Sequence, residues 1–154
     1  MNSEKRIWVD ADSCPQKIRD IIVSGAERKG AVLYFVANRK IPFRKSSCVR
    51  MIITTNSDAD SYILNKVKPE ELVITRDIPL AAKLLEKQAI VINDRGTAFT
   101  KDNIKEKLSI RNFSYELRNN GYKVNESVNY SLKDVRLFSS EFDKALNKFY
   151  TQKS

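Results

Sequence analysis

Four short apolar runs in this chain end on aspartate, and that punctuation constrains the fold more than any other feature. Ile7, Trp8 and Val9 run into Asp10 and Asp12 in IWVDADSCP; MIITTNSDAD carries Asp58 and Asp60; LVITRDIPL reaches Asp77; AIVINDRG reaches Asp94. Each run has the length and the residue types of a buried strand, and between them the apolar spacing changes to that of helices. Ile18, Ile21, Ile22 and Ala26 follow the first run, Ala59, Tyr62, Ile63 and Val67 the second, and Ile78, Ala81, Ala82 and Leu85 the third. A further uninterrupted run, 31–37 (AVLYFVA), reads as a buried parallel strand. Strands alternating with helices predict βαβ units, right-handed crossovers and a parallel sheet. In such a sheet the aspartates gather at the carboxyl edge, where open α/β sheets place their sites.

The punctuation residues set the expected boundaries. Ser13 has cap chemistry and Pro15 suits a first helical turn, so a helix is expected from there to about Arg28, closed by Gly30. Residues 38–49, broken by Pro42, read as a loop or irregular helix, and 51–55 as the third strand. Ser57 or Asp58 is positioned to cap the second helix and Asp77 the third, with strands at 72–75 and 89–92. From Thr100 onward the pattern is helical only. A helix capped by Thr100 or Asp102 is expected to run to Asn119 and end at Gly121; a polar loop follows over 124–132; Val135, Phe138, Phe142 and Phe149 form a last amphipathic stripe.

Composition narrows the chemistry. A chain of 154 residues with 42% hydrophobic content suits one soluble domain, residues 1–154. No stretch approaches the roughly 20 apolar residues of a membrane span, no secretory leader is evident, and two cysteines are too few for a disulfide framework, so a cytoplasmic protein with reduced thiols and no membrane is expected. With no histidine, a Ser-His-Asp triad, a Cys/His zinc site and a histidine general base are excluded. The net charge of +9 admits an anionic partner. Between Glu27 and Asp58 stand seven basic residues and no acid.

Several carboxylates at one sheet edge repel unless a cation lies among them. All-oxygen donors select Mg²⁺ or Mn²⁺ over zinc, and such an ion beside a basic surface suits phosphodiester hydrolysis. Asp10, Asp12, Asp58, Asp60 and Asp77 are the candidate catalytic residues, and Asp10, Asp12, Asp58, Asp77 and Asp94 the candidate metal ligands. Asp12, Asp58 and Asp77 also suit plain helix caps; capping does not account for Asp10 or for the DAD triplet occurring twice. Ser13 and Thr75 lie near the same edge. Arg39, Lys40, Arg44 and Lys45 are candidate nucleic-acid contacts, with Phe43 among them for stacking on a base. Arg76 is placed either to bridge the aspartates or to contact phosphate, and Arg95 either to bind phosphate or to form a loop salt bridge. Cys14 reads as a small buried residue. Lys107, Arg111 and Arg118 share one helical face that reads as solvated.

The segments VDADSCP, NSDADSYI, ITRDIPLAAKLLEK, INDRGTAFT followed by NI, and ELRNNG resemble the YaiI/YqxD family of bacterial proteins, in the right order and over nearly the whole chain, from Ile7 to Phe149. That family is grouped with PIN-like domains, most of which are metal-dependent ribonucleases. The resemblance implies a three-layer α/β/α PIN-like domain, a five-stranded, mainly parallel sheet in the order 3-2-1-4-5, and C-terminal helices. It also implies an acidic metal site at Asp10, Asp12, Asp58, Asp60 and Asp77, with Asp94 as an outer member. The expected function is a Mg²⁺- or Mn²⁺-dependent nuclease acting on RNA, single-stranded by preference. Two alternatives stand beside it. One is a small-molecule phosphohydrolase, because DAD resembles the D-x-D of haloacid-dehalogenase-type phosphatases, although no lysine follows in the usual order. The other is a non-catalytic module that binds nucleic acid.

Overall fold

In the computed structural model, residues 5–55, 59–123 and 130–151 are described, the last three by their backbone alone. The strands are β1 (Arg6–Asp10), β2 (Val32–Ala37), β3 (Val49–Ile53), β4 (Leu72–Ile74), β5 (Ile90–Ile92) and β6 (Ala98–Phe99); the helices are α1 (Gln16–Lys29), α2 (Ala59–Lys66), α3 (Ile78–Glu86), α4 (Ile104–Asn119) and α5 (Leu132–Thr151). The sheet order is β3-β2-β1-β4-β5-β6. The first five strands are parallel and in the expected order. The sixth is an addition: Ala98–Phe99 turns back antiparallel on β5, pairing Val91 with Phe99 and Ile92 with Ala98. Asn93 makes that turn, its side-chain oxygen accepting the N–H of Arg95 and of Thr97 at 2.9 Å each. A two-residue strand has no periodicity to read, so it was not legible in the sequence.

Alternation along β1 divides the core into two layers. Ile7 and Val9 face α1 and α5, packing with Leu33, Phe35, Ile18, Ile22, Phe138 and Phe142. Trp8 faces α2, α3 and α4, packing with Val36, Ile63, Val73, Leu84 and Ile104. The fold is therefore a three-layer α/β/α sandwich with helices on both faces of the sheet. The first layer closes because Gly25 lets α5 lie against α1: a Cβ on residue 25 would stand 2.5 Å from Phe142 Cε2.

Several boundaries differ from expectation for local reasons. Pro15 precedes α1, extended at ψ 148°, instead of entering its first turn. Cys14 N donates to Ala11 O at 3.2 Å, so the intervening turn uses the chain up to Cys14, and the Pro15 carbonyl then accepts the first helical bond, from Ile18. β3 starts two residues earlier than expected, because the register pairs Leu33 with Val49 and Ala37 with Ile53. In α3 the buried stripe is Leu80, Ala81, Leu84 and Leu85, rotated from the expected one, and Ile78 and Ala82 are half-buried. Thr100 and Asn103 bond reciprocally ahead of α4, each side chain accepting the other's backbone N–H, at 2.9 and 3.1 Å. The Phe149 side chain, the expected cap at Ser57 or Asp58 and most of the expected loop over 124–132 lie outside the described residues.

At the amino end of the sheet Glu71 joins β1 to β4. Its carboxylate accepts Arg6 Nε at 2.5 Å, Arg6 Nη2 at 3.1 Å, Trp8 Nε1 at 3.1 Å and the Lys68 N–H at 2.7 Å. Glu71 is buried, and the Arg6 guanidinium also covers the Trp8 ring, 5.1 Å from its centroid. Removing the carboxylate strands a half-buried guanidinium and a buried indole N–H. Glu71→Ala is therefore expected to lower the unfolding free energy by about 3 kcal/mol in urea titration; a loss below about 1 kcal/mol would show the cluster to be a solvated surface pair.

Candidate active site

The chain leaves β1 for β2 and β3 on one side and returns to β4 and β5 on the other. The topological switch point lies between the carboxyl ends of β1 and β4, where open α/β sheets leave a crevice. Asp10 is the last residue of β1 and has the parity of Trp8, so it belongs to the α2–α3–α4 side of the sheet. Thr75, directly after β4, donates its hydroxyl to Asp10 Oδ2 at 3.0 Å, and Thr75 Oγ1 in turn accepts the Asp77 N–H at 3.0 Å. One buried threonine thus spaces two of the acids. Asp77 caps α3, its Oδ1 accepting the Leu80 N–H at 3.0 Å. Asp12 Oδ2 accepts the Asn38 N–H at 2.8 Å, which ties the end of β2 to the DAD turn.

These residues line an open cleft of about 460 Å³: Asp10, Asp12, Ser13 and Asp77 on its floor and acidic wall, with Ile78, Arg76 and Arg111 completing it. The Asp10 carboxyl is held above the usual carboxylate range. Burial is the main cause, the negative charges of Asp77, Asp12 and Asp60 add to it, and the Thr75 hydrogen bond opposes it. Asp60, in the first turn of α2, thus reaches Asp10 through its field without lining the cleft.

Asp94 is placed differently. It is 3% exposed and takes a forked interaction from Arg76, with Nε at 3.1 Å and Nη2 at 2.5 Å from Oδ2. Its backbone carbonyl accepts the Tyr130 hydroxyl. Asp94 therefore stands behind Arg76 and orients it, and does not face the cleft. The guanidinium of Arg76 is held more firmly protonated, chiefly by the hydrogen bond to Asp94. Arg76 thus pairs with one aspartate and also lines the cleft. Asp58 lies outside the described residues. Among the described residues no three acidic or cysteine side chains converge closely enough to ligate one ion as they stand.

The basic candidates separate. Arg39 and Lys40 are exposed and follow Asn38, the residue bonded to Asp12, so they stand at the cleft's edge of the sheet. Arg44 is turned back on α1, with Glu27 Oε1 at 3.1 Å and Ser24 Oγ at 2.7 Å, while Lys45 is exposed. Phe43 is half-buried against Phe35, with ring centroids 5.2 Å apart, so its ring is core and does not serve as a stacking platform. Arg95 takes its loop salt bridge, 3.3 Å from Asp134, and covers the Tyr130 ring. Cys14 is buried and its thiol is pushed up to about 12 by that burial, so it is no nucleophile. Arg111 was missed as a cleft residue. Its helical face was visible in the sequence, but its position over the cleft follows from the packing of α4 on α3.

The sequence model of the family described as "Uncharacterized BCR, YaiI/YqxD family" matches residues 8–148. A UPF0178 protein of Treponema denticola is 45% identical over 150 residues, covering 96% of each chain. A UPF0178 protein of Shewanella baltica is 43% identical over 146 residues, covering 94% of this chain and 97% of its own, and one of Treponema pallidum is 40% identical over 144 residues, covering 92% and 81%. No solved structure matches.

The crowding around Asp10 predicts a stability effect whose sign depends on pH. Because its folded proton affinity is raised, the folded state carries more protons than the unfolded chain between the ordinary value, 3.8, and the raised one, and stability falls as pH rises through that window. Asp10→Asn removes the charge and keeps an oxygen to accept from Thr75. It should raise the melting temperature at pH 7 without divalent ions, with the gain disappearing below pH 3.8. A melting temperature at pH 7 equal to or below that of the parent would contradict the crowding.

Proposed function

Taking as premise that the chain belongs to the YaiI/YqxD family, we propose that it is a divalent-metal-dependent nuclease hydrolysing phosphodiester bonds of single-stranded RNA in the cleft at the end of β1 and β4. The observation that carries this reading is Asp10: a half-buried carboxylate at the switch point, in the field of three further carboxylates, with arginines lining the same cleft.

The donor set fits a hard cation. Asp10, Asp12 and Asp77 present only oxygen ligands in one cleft, and their mutual repulsion is the stress that a cation relieves. Drawn together by the ion, or linked to it through its retained waters, these three residues would hold Mg²⁺ or Mn²⁺, with Asp60 adding to the field and Asp58 a proposed further ligand. When bound, the ion supplies positive charge and Lewis acidity for phosphoryl chemistry. Thr75 fixes the rotamer of Asp10 by donating to one oxygen, which leaves the other directed to the site. Arg76, clamped by Asp94, and Arg111 on α4 offer guanidinium groups to the anionic phosphate. Arg39 and Lys40 extend positive charge along the edge beyond Asp12. The openness of the cleft and the basic groups along its edge favour a flexible single strand held by its backbone, with weak sequence preference and steep salt dependence. Among the described residues no lysine lines the cleft, which weakens the phosphatase reading suggested by D-x-D.

The direct test is cleavage of a labelled single-stranded RNA by highly purified protein in Mn²⁺ and in Mg²⁺. Slow hydrolysis is expected, faster in Mn²⁺. Asp10→Asn should reduce the rate by about two orders of magnitude or more while leaving RNA affinity equal or higher, since it removes a negative charge. No cleavage in either metal, or an Asp10→Asn variant as fast as the parent, would overturn the hydrolase reading.

A further inference from the structure

Helix α4 is sixteen residues long, yet only Ile104 at its start is buried. Its sheet-facing side changes character along its length. Ile104 and Leu108 pack into the second core layer. One, two and three turns further on, the same side carries Arg111, Tyr115 and Arg118, since 104, 108, 111, 115 and 118 follow the helical repeat. Arg111 reaches the acidic cleft. Tyr115 lies one turn beyond, about 6 Å along the axis; the residue is 55% exposed and the Arg111 guanidinium is 6.0 Å from its ring centroid. Lys107 flanks the stripe, and no acid falls within it: Glu106 and Glu116 point elsewhere on the helix.

We infer that this side of α4 is a binding platform for single-stranded RNA, on which Arg111 holds the phosphate next to the cleft and Tyr115 stacks on a neighbouring base. The inference rests on the nuclease reading for the identity of the strand. It adds a surface outside the acidic cluster that fixes the path of the strand. Charge and adjacency select the occupant. An apolar protein partner would prefer the opposite side of α4, where Phe113 and Ile110 are 62% and 58% exposed. The Tyr115 side is basic and continuous with the cleft, and an exposed aromatic next to a guanidinium is a stacking surface that tolerates any base.

Equilibrium binding without turnover tests this. A short fluorescein-labelled oligouridylate is titrated with full-length protein in EDTA and followed by anisotropy. Tyr115→Ala should weaken binding about tenfold, and Tyr115→Trp should keep it. Arg111→Ala should weaken binding and lower the slope of log affinity against log salt by about one. Phe113→Ala, which removes an equally exposed ring from the other side of the helix, should bind like the parent. The platform is overturned if the parent does not bind, if Tyr115→Ala binds like the parent, or if Phe113→Ala loses as much as Tyr115→Ala. The two readings separate: binding lost with Tyr115→Ala in a protein that never cleaves supports the platform and removes only the hydrolysis, whereas a cleaving parent with an unaffected Tyr115→Ala removes only the platform.

Discussion

The pairing of β1 with β4 is the contact on which the rest depends. Three registered residue pairs, Ile7 with Leu72, Trp8 with Val73 and Val9 with Ile74, form the seam at which the chain reverses direction across the sheet. The seam is fastened at both ends by a charged group that accepts hydrogen bonds across it. At the amino end Glu71 takes Arg6 and Trp8. At the carboxyl end Asp10 takes Thr75. A hydrogen bond to a charged group is worth about 1.5–3 kcal/mol, so each fastening matters on the scale of a domain's net stability.

The two fastenings are not equivalent. Glu71 is matched by a guanidinium, a ring N–H and a backbone N–H, so its charge is compensated where it is buried. Among the described residues Asp10 accepts from one neutral hydroxyl and lies in the field of other carboxylates, so its charge is opposed. A fold that needed only to join two strands would do better with the first arrangement at both ends. The uncompensated end coincides with the switch point and with the cleft, which is where local energetic conflict is expected to accompany function. The arginines nearby do not neutralise Asp10 directly: Arg76 is committed to Asp94, and Arg111 reaches in from another layer.

Much of this was legible in the sequence. Four apolar runs ending on aspartate, with the uninterrupted run at 31–37, located the five parallel strands and their carboxyl edge, and the resemblance supplied their order. Asp77 combines a cap with a place in the cleft, as cap chemistry after a strand allows. Three things were not legible. Glu71 lies in a polar stretch, KPEEL, and its burial follows from the register of β4 beside β1. Asp94 obeys the same strand-end grammar as Asp10, but β5 stands one strand further from the switch point, so its carboxylate meets Arg76 instead of the cleft. Phe43 sits in a basic loop and looked exposed, but the loop folds back on α1, where the buried Arg19 holds it through the Pro42 carbonyl. Each of these is a tertiary decision about which of two locally equivalent residues is covered.

The central claim is that the carboxylates at the β1–β4 seam form a cation site. Paramagnetic broadening of backbone amide signals by substoichiometric Mn²⁺ tests it without depending on turnover. The account predicts selective loss of signals for residues around Asp10, Asp12 and Asp77, reversed by EDTA and abolished in the Asp10→Asn, Asp77→Asn double variant, while signals near Glu71 at the opposite end of the sheet persist. Uniform broadening, or broadening centred elsewhere on the protein, would contradict it.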